Sequence, residues 1–187
     1  MTENSPDTAT PCPAAKLQGL APIVDDDSEC LILGSMPGNE SLRLGRYYAH
    51  PRNGFWPILG KIYGFAADGP YPHLVDALRL HRIAVWDVVG RCQRDGSLDS
   101  AIDVGSLETN DLPGLLRAHP RIRHVYFNGS FAEKVYRLRI GFEATDDPPS
   151  FQRLPSTSPA YASVPLESKR RVWASALLAH RPAMATT

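Results

Sequence analysis

The sequence predicts an α/β domain whose parallel sheet is covered by helices on both faces. Four short apolar runs bounded by turn residues read as buried strands. Stretches of helical periodicity separate them, and strands alternating with helices are the pattern of parallel pairing through crossover connections. The chain has 187 residues and is 43% hydrophobic, which suits one sizeable core rather than two small ones.

Residues 1–16 mix Pro, Thr, Ala, Asp and Ser with few large apolar groups, so a disordered lead-in is expected before a single domain over 17–187. After the acidic turn DDDSE, CLILGS reads as a strand over 30–35. Three further runs predict strands: RIAVWDVV over 82–89, RHVYFNG over 123–129 and SFQRLPS over 150–156. The first helix is FWPILGKIYG, with Asn53 placed to cap it, and HLVDALRL follows. DLPGLLRAH can be capped by Asn110 or Asp111, and SFAEKVYRLRI opens at Ser130. VPLESKRRVWASALLAH is expected to run to about His180.

Composition narrows the function. Lys plus Arg and Asp plus Glu both number 20, so net charge gives no global sign of a nucleic-acid partner, and any such site must be local. The basic clusters Arg43/Arg46/Arg52, Arg121/Arg123/His124 and Lys169/Arg170/Arg171 each read, alone, as solvated faces. No apolar run approaches the roughly 20 residues of a membrane span, and MTENSPDTAT lacks the order of a secretory signal. A cytoplasmic protein with no membrane partner is expected. Cys12, Cys30 and Cys92 are widely spaced with no C-x-x-C pair, which predicts free thiols and supports neither a disulfide framework nor an iron–sulfur cluster.

In a parallel sheet, ligands sit beyond the carboxyl ends of the strands. That rule collects GSMPGNES, DVVGRCQR, NGSFAEK and LPSTSPAYA on one rim. Gly34, Ser35, Met36, Pro37 and Gly38 form a turn whose glycines let backbone N–H groups approach a ligand closely, without the spacing of a phosphate-binding loop. Ser156, Thr157, Ser158, Pro159 and Ala160 make a stiff, hydroxyl-rich loop able to donate to phosphate oxygens. Asp87 can cap the segment after it or accept from a ligand N–H, and Asn128 before Gly129 is most simply a turn residue. The stretch YYAHPRNGFW, residues 47–56, crowds aromatics, His50 and Asn53 around Pro51 and Gly54, where neither strand nor helix is regular. It suits a loop that holds something flat.

The ordered set LILGSMPGNESL, YYAHPRNGFWPIL, AVWDVV, RDGSLDSAI, NDL, FNGSFA and LPSTSPAYA closely resembles the hypoxanthine-DNA glycosylase (DNA-deoxyinosine glycosylase) group of the uracil-DNA glycosylase superfamily. The resemblance covers roughly residues 17–180. It implies a three-layer α/β/α sandwich with a four-stranded, mainly parallel central sheet, and an enzyme that flips a damaged base from double-stranded DNA and cuts its N-glycosidic bond without metal or other cofactor. By the same resemblance Met36 stands where the mismatch-specific branch has a catalytic Asn, and Leu154 where the uracil-specific branch has a histidine. Asn53 becomes the catalytic candidate, to orient water or polarise the base, and Tyr48 the residue that stacks on the flipped base.

The expected substrate contacts are Gly34 to Gly38, Tyr48, His50, Asp87 and Asn128. The tyrosine pair is expected to make a platform, with Phe55 and Trp56 anchoring the next helix. Ser156 and Ser158, in the loop Ser156–Ala160, would grip phosphates, and Pro159-Ala160 would wedge into the gap left by the base. A monomer is expected. Alternatives are a uracil or G·T mismatch glycosylase on the same scaffold, a damage-binding module that does not cut, and a nucleotide-binding domain unrelated to DNA.

Overall fold

The computed structural model describes residues 16–144 and 147–179. The expected lead-in, apart from Lys16, lies outside the described residues, as do Cys12 and the expected helix end at His180. The strands are β1 (Leu17–Gln18), β2 (Cys30–Gly34), β3 (Ile83–Asp87), β4 (Val89–Cys92), β5 (Glu108–Thr109), β6 (His124–Asn128) and β7 (Ser150–Leu154). The helices are α1 (Asn39–Leu44), α2 (Phe55–Tyr63), α3 (Tyr71–Leu80), α4 (Leu112–Ala118), α5 (Ser130–Arg139) and α6 (Leu166–Leu178), with one 3₁₀ turn at Asp99–Ala101.

The central sheet runs β3-β2-β6-β7 with every neighbouring pair parallel. Its central strand β2 is apolar throughout, as a strand covered on both faces must be. Leu31 and Leu33 point to one face, with Val125, Phe127, Ala132, Val135, Tyr136, Leu112, Leu115 and Leu116. Ile32 points to the other, with Val85, Tyr126, Phe55, Trp56, Ile58, Leu59, Leu74, Leu78, Trp173 and Leu177. Helices α4 and α5 therefore cover one face and α2, α3 and α6 the other. This is the expected three-layer sandwich.

A second sheet, β1-β4-β5, is antiparallel and lies outside the sequence expectation. Two of its strands are only two residues long, too short to show any period. It arises because the run expected over 82–89 divides at Val88. Val88 and Val89 donate to Gly34 O and Ser35 O at 2.9 Å each, and the chain then leaves the main sheet as β4.

Helix α1, which falls inside the segment read as a rim loop, starts after Gly38 and ends at Gly45 in a left-handed conformation, φ 62°. Asp111 caps α4 as expected, its side chain accepting from Gly114 N at 2.8 Å. Asn110 does not cap; its amide donates to the Asp87 carbonyl at 2.8 Å. Asn53 acts one position outside its expected place: α2 begins after Gly54, and Asn53 Oδ1 accepts the Phe55 N–H at 3.0 Å.

The basic clusters are largely neutralised where they stand. Arg43 pairs with Glu40, Arg121 with Asp27, Arg123 with Asp147 and Arg170 with Glu167. Exposed pairs of this kind add little stability. Lys169 is buried, with Nζ donating to Tyr161 O at 2.5 Å. Among the described residues no helix is long and apolar enough to cross a membrane.

Trp173 of α6 ties the helical layer to the rim. It is fully buried, meets Phe55 edge to face at 6.0 Å, and donates its indole N–H to Pro155 O at 2.9 Å. Trp173→Ala removes that packing and is expected to cost about 3–5 kcal/mol, read as a fall in the urea midpoint at unchanged slope. A loss under about 1 kcal/mol would contradict this account of the core.

Candidate active site

Gly34 ends β2 opposite Asp87, the last residue of β3. A Cβ at Gly34 would lie 2.2 Å from Asp87 Oδ1 and 3.2 Å from the Tyr48 hydroxyl. Only glycine leaves space for the carboxyl to lie against the strand. Asp87 is 3% exposed, and its Oδ2 has no hydrogen-bond partner among the described residues. Burial pushes its carboxyl up to about 8; the nearby charge of Asp99 adds to the shift and Arg94 opposes it. At neutral pH Asp87 is mostly a neutral acid, able both to donate and to accept.

Tyr48 reaches this corner in a strained way. Its φ of 54° is left-handed, a conformation that non-glycine residues adopt at a cost of order 1–3 kcal/mol and that clusters at functional sites. Its ring stacks on Phe55 with centroids 3.8 Å apart and planes 18° from parallel. The hydroxyl is buried without a hydrogen-bond partner among the described residues, with the Asn128 amide nearby. Burial, then the Asp87 charge, push the phenol well above its ordinary value.

The expected tyrosine platform does not form. Tyr47 is buried in the core, donating its hydroxyl to Ala21 O at 3.1 Å, and its backbone carbonyl accepts from the Trp56 indole at 3.0 Å. Only Tyr48 stays half-buried at the site. Phe55 and Trp56 do anchor α2 in the core.

The loop Gly34–Gly38 divides its side chains. Ser35 donates to Asp99 Oδ1 at 2.5 Å, while Met36 is 6% exposed and packs in the core. The Pro37 carbonyl accepts from Arg94 Nη2 at 2.6 Å, and Asn39 N–H donates to Ser97 Oγ at 2.9 Å. A strap from Arg94 to Asp99 thus pins this loop at three points. Arg94, Ser97 and Asp99 lie in the motif RDGSLDSAI, to which the sequence reading gives no site role. RDGSLD looks like an ordinary polar turn, and these contacts span 57 to 64 positions of sequence.

The hydroxyl-rich loop is tied in through Asn128. Its Nδ2 donates to Thr157 Oγ1 at 2.9 Å and its Oδ1 accepts the Thr157 N–H at 2.8 Å. Thr157 O in turn accepts from Gly54 N at 2.9 Å, which fixes Asn53 beside this loop. Thr157 is 2% exposed, so its side chain braces the loop instead of meeting a phosphate. Ser156 Oγ accepts from Ser158 N at 3.2 Å, and Ser158 Oγ from Ala160 N at 3.3 Å. Each hydroxyl keeps its own proton to donate outward. Leu154 is buried at 1%, so the polar lip begins beyond it.

His50 is exposed, and its Nδ1 accepts the Arg52 N–H at 3.1 Å, which stiffens the turn. Tyr48, His50 and Asn53 line one cleft of about 460 Å³, whose walls do not include Asp87 or the loops 34–38 and 156–160. Tyr48 therefore bridges two regions: it lines the cleft, and its hydroxyl lies at the Gly34–Asp87 corner. Among the described residues no cluster of His, Cys, Asp or Glu could hold a metal ion.

The family model described as the uracil DNA glycosylase superfamily matches residues 21–178. A hypoxanthine DNA glycosylase of Methanosarcina acetivorans is 40% identical over 125 residues, covering 66% of this chain and 78% of that protein. One from Methanosarcina barkeri is 39% identical over 115 residues, covering 61% and 72%. The solution NMR structure of a Methanosarcina acetivorans protein, described provisionally as a uracil DNA glycosylase, superposes with a TM-score of 0.71 at 33% identity, covering 88% of this chain and 99% of that one. With matching sequence and fold, the chain belongs to the uracil DNA glycosylase superfamily.

Proposed function

We propose that this protein is a monofunctional DNA glycosylase that swings a deaminated base, hypoxanthine first, out of double-stranded DNA and hydrolyses its N-glycosidic bond. The observation that carries the reading is Asp87: a buried carboxyl whose Oδ2 has no partner among the described residues, held against Gly34 beside the Tyr48 hydroxyl, with burial pushing it towards the neutral form. Hypoxanthine presents a lactam edge, an N1–H donor beside the O6 acceptor. A neutral carboxylic acid offers the matching acceptor and donor.

The reaction begins with extrusion of the base, which costs a few kcal/mol and least for a mispaired one. Phe55 covers one face of Tyr48, and the base stacks on the other, a contact worth about 1–3 kcal/mol. Asn53 Oδ1 is engaged by the Phe55 N–H, which orients the side chain and leaves the Nδ2 hydrogens to donate to the departing base as it gains negative charge. The Ser156 and Ser158 hydroxyls meet flanking phosphates, with the exposed Arg46 and Arg52 on the adjoining loop. Few such contacts on a protein of zero net charge give a shallow salt dependence.

Uracil carries the same lactam pattern at N3–H and O4, so the Asp87 geometry also supports a uracil glycosylase on this scaffold. Duplexes with single inosine, uracil, xanthine or G·T sites, scored by alkali-cleaved abasic product, separate the two readings. Strongest cleavage at inosine is expected; strongest cleavage at uracil selects the second, and retention without released base contradicts both. Asn53→Ala is expected to slow base release about 100-fold or more while lowering stability by about 1 kcal/mol. Loss of folding without a separate loss of turnover would overturn its catalytic role.

The neutral state of Asp87 has a measurable sign. Unfolded, it releases its proton near the ordinary value of about 4; folded, near about 8. Between these the native state holds a proton the unfolded chain lacks, so Asp87's contribution to stability falls as pH rises. Asp87→Asn removes that dependence, and its urea midpoint is expected to fall less than the wild type's between pH 5 and pH 8. Parallel midpoints for the two proteins would contradict a neutral Asp87.

A further inference from the structure

We propose that Ser35 and Asp99 form a proton-accepting pair that orients the attacking water, filling the place that Met36 leaves empty. The inference rests on the glycosylase reading above and goes beyond it, since it adds a reacting side chain at Ser35 and a partner carboxylate 64 positions away.

A glycosylase must direct a water at C1′ of the sugar from the side opposite the base, and the water must lose a proton as its oxygen bonds to carbon. Met36 cannot serve: its thioether is a weak acceptor, and its side chain is buried in the core. Its neighbour Ser35 is half-exposed on the same loop, one residue beyond the Gly34–Asp87 corner. The Ser35 hydroxyl has a single proton, and that proton is committed to Asp99 Oδ1 at 2.5 Å. Its oxygen lone pairs are therefore the side that can accept from a water. A hydroxyl whose proton is held by a carboxylate is how an otherwise weak oxygen becomes a proton acceptor.

The surroundings match that task. Asp99 opens the 3₁₀ turn and is half-buried, and desolvation raises its carboxyl above the usual range; the Ser35 hydroxyl and then Arg94 oppose the shift. The groups that share its field are Asp87 of β3, Arg94 and Cys92 of β4 and the strap, and Tyr48 of the loop before α2. Arg94 is locked in place, donating to Gly96 O at 2.9 Å and Pro37 O at 2.6 Å. A buried carboxyl and a half-buried one near the same arginine, in different surroundings, are an arrangement by which a site obtains an acid and a base. Asp87 is the more deeply buried of the two, and Asp99 is the one that accepts from a hydroxyl, that of Ser35, with Arg94 nearby. Once ionised, Asp99 also favours the positive character that develops on the sugar.

The step balances. The C1′–N9 electron pair leaves on the base, the water oxygen bonds to C1′, its proton moves to Ser35 Oγ, and the proton of Ser35 moves to Asp99 Oδ1. Asp99 then returns the proton to solvent or to the departed base, so water is divided across the bond. Ser35 touches the reacting water. Asp99 acts through Ser35 and is a positioning and proton-holding residue.

The test uses the full chain and an inosine duplex in single-turnover assays across pH 4 to 9. Wild type is expected to show a rate that rises on the acid side as Asp99 ionises and falls near pH 8 as Asp87 does. Asp99→Asn is expected to lower the plateau rate about 100-fold or more, with duplex affinity within about threefold and the acid-side rise absent. Ser35→Ala is expected to fall by a similar factor, and the double variant no further than the lower single, because the two act as a unit. A rate for Asp99→Asn within about threefold of wild type, a retained acid-side rise, or effects that multiply in the double variant would each overturn the pair. If Asp99→Asn unfolds, Ser35→Ala and its pH profile decide alone. Wild type that releases no base from any duplex would instead overturn the glycosylase reading itself.

Discussion

The close approach of Gly34 to Asp87 is the contact on which the rest of the site depends. Parallel register sets the two residues side by side at the ends of β2 and β3, and the missing Cβ lets a carboxyl occupy the space. A buried acid is expensive to ionise, so this one is held neutral with an oxygen left unpaired. Tyr48 completes the corner: its hydroxyl reaches the same spot, and its left-handed backbone is sustained by the stacking of its ring on Phe55. Phe55 sits in turn on Trp173, which holds the backbone of the rim loop through Pro155. The core and the site are therefore one continuous structure, and the helix α2 begins where the aromatic loop ends.

Electrostatics at this rim are local by design of the chain as a whole. Opposite charges balance overall, and most surface arginines are engaged by nearby carboxylates. What remains concentrated is inside the site, where Asp87, Asp99 and Arg94 share a poorly hydrated region. The strap carrying Arg94, Ser97 and Asp99 grips the Gly34–Gly38 loop from outside the central sheet. The small antiparallel sheet positions that strap, since β4 leads into Arg94 and Arg94 bridges back to Ile102.

Much of this was legible in the sequence because the signals were local. The four central strands are short apolar runs between turns, and they fall within two residues of their expected ends. The four rim loops derive from the geometry of any parallel sheet. What depended on long-range contact was not legible. The inward turn of Tyr47, the burial of Thr157 and the packing of Met36 were decided by neighbours far away in sequence, and YY or STS reads the same either way. Asp99 is the clearest instance, one aspartate in a polar turn until Ser35 is brought to it. The clamp of Asn128 on Thr157 is hidden for the same reason, whereas the turn that His50 stiffens is local, two residues away at Arg52.

The most direct measurement is an NMR titration of the Asp87 side-chain carboxyl in the folded protein without DNA, following its ¹³Cγ shift against pH, with Asp87→Asn used for assignment. This account predicts a midpoint at about 8, far above an ordinary aspartate. A midpoint near about 4 would mean that Asp87 is charged and solvated at neutral pH, and the neutral acid at the centre of this site would not exist.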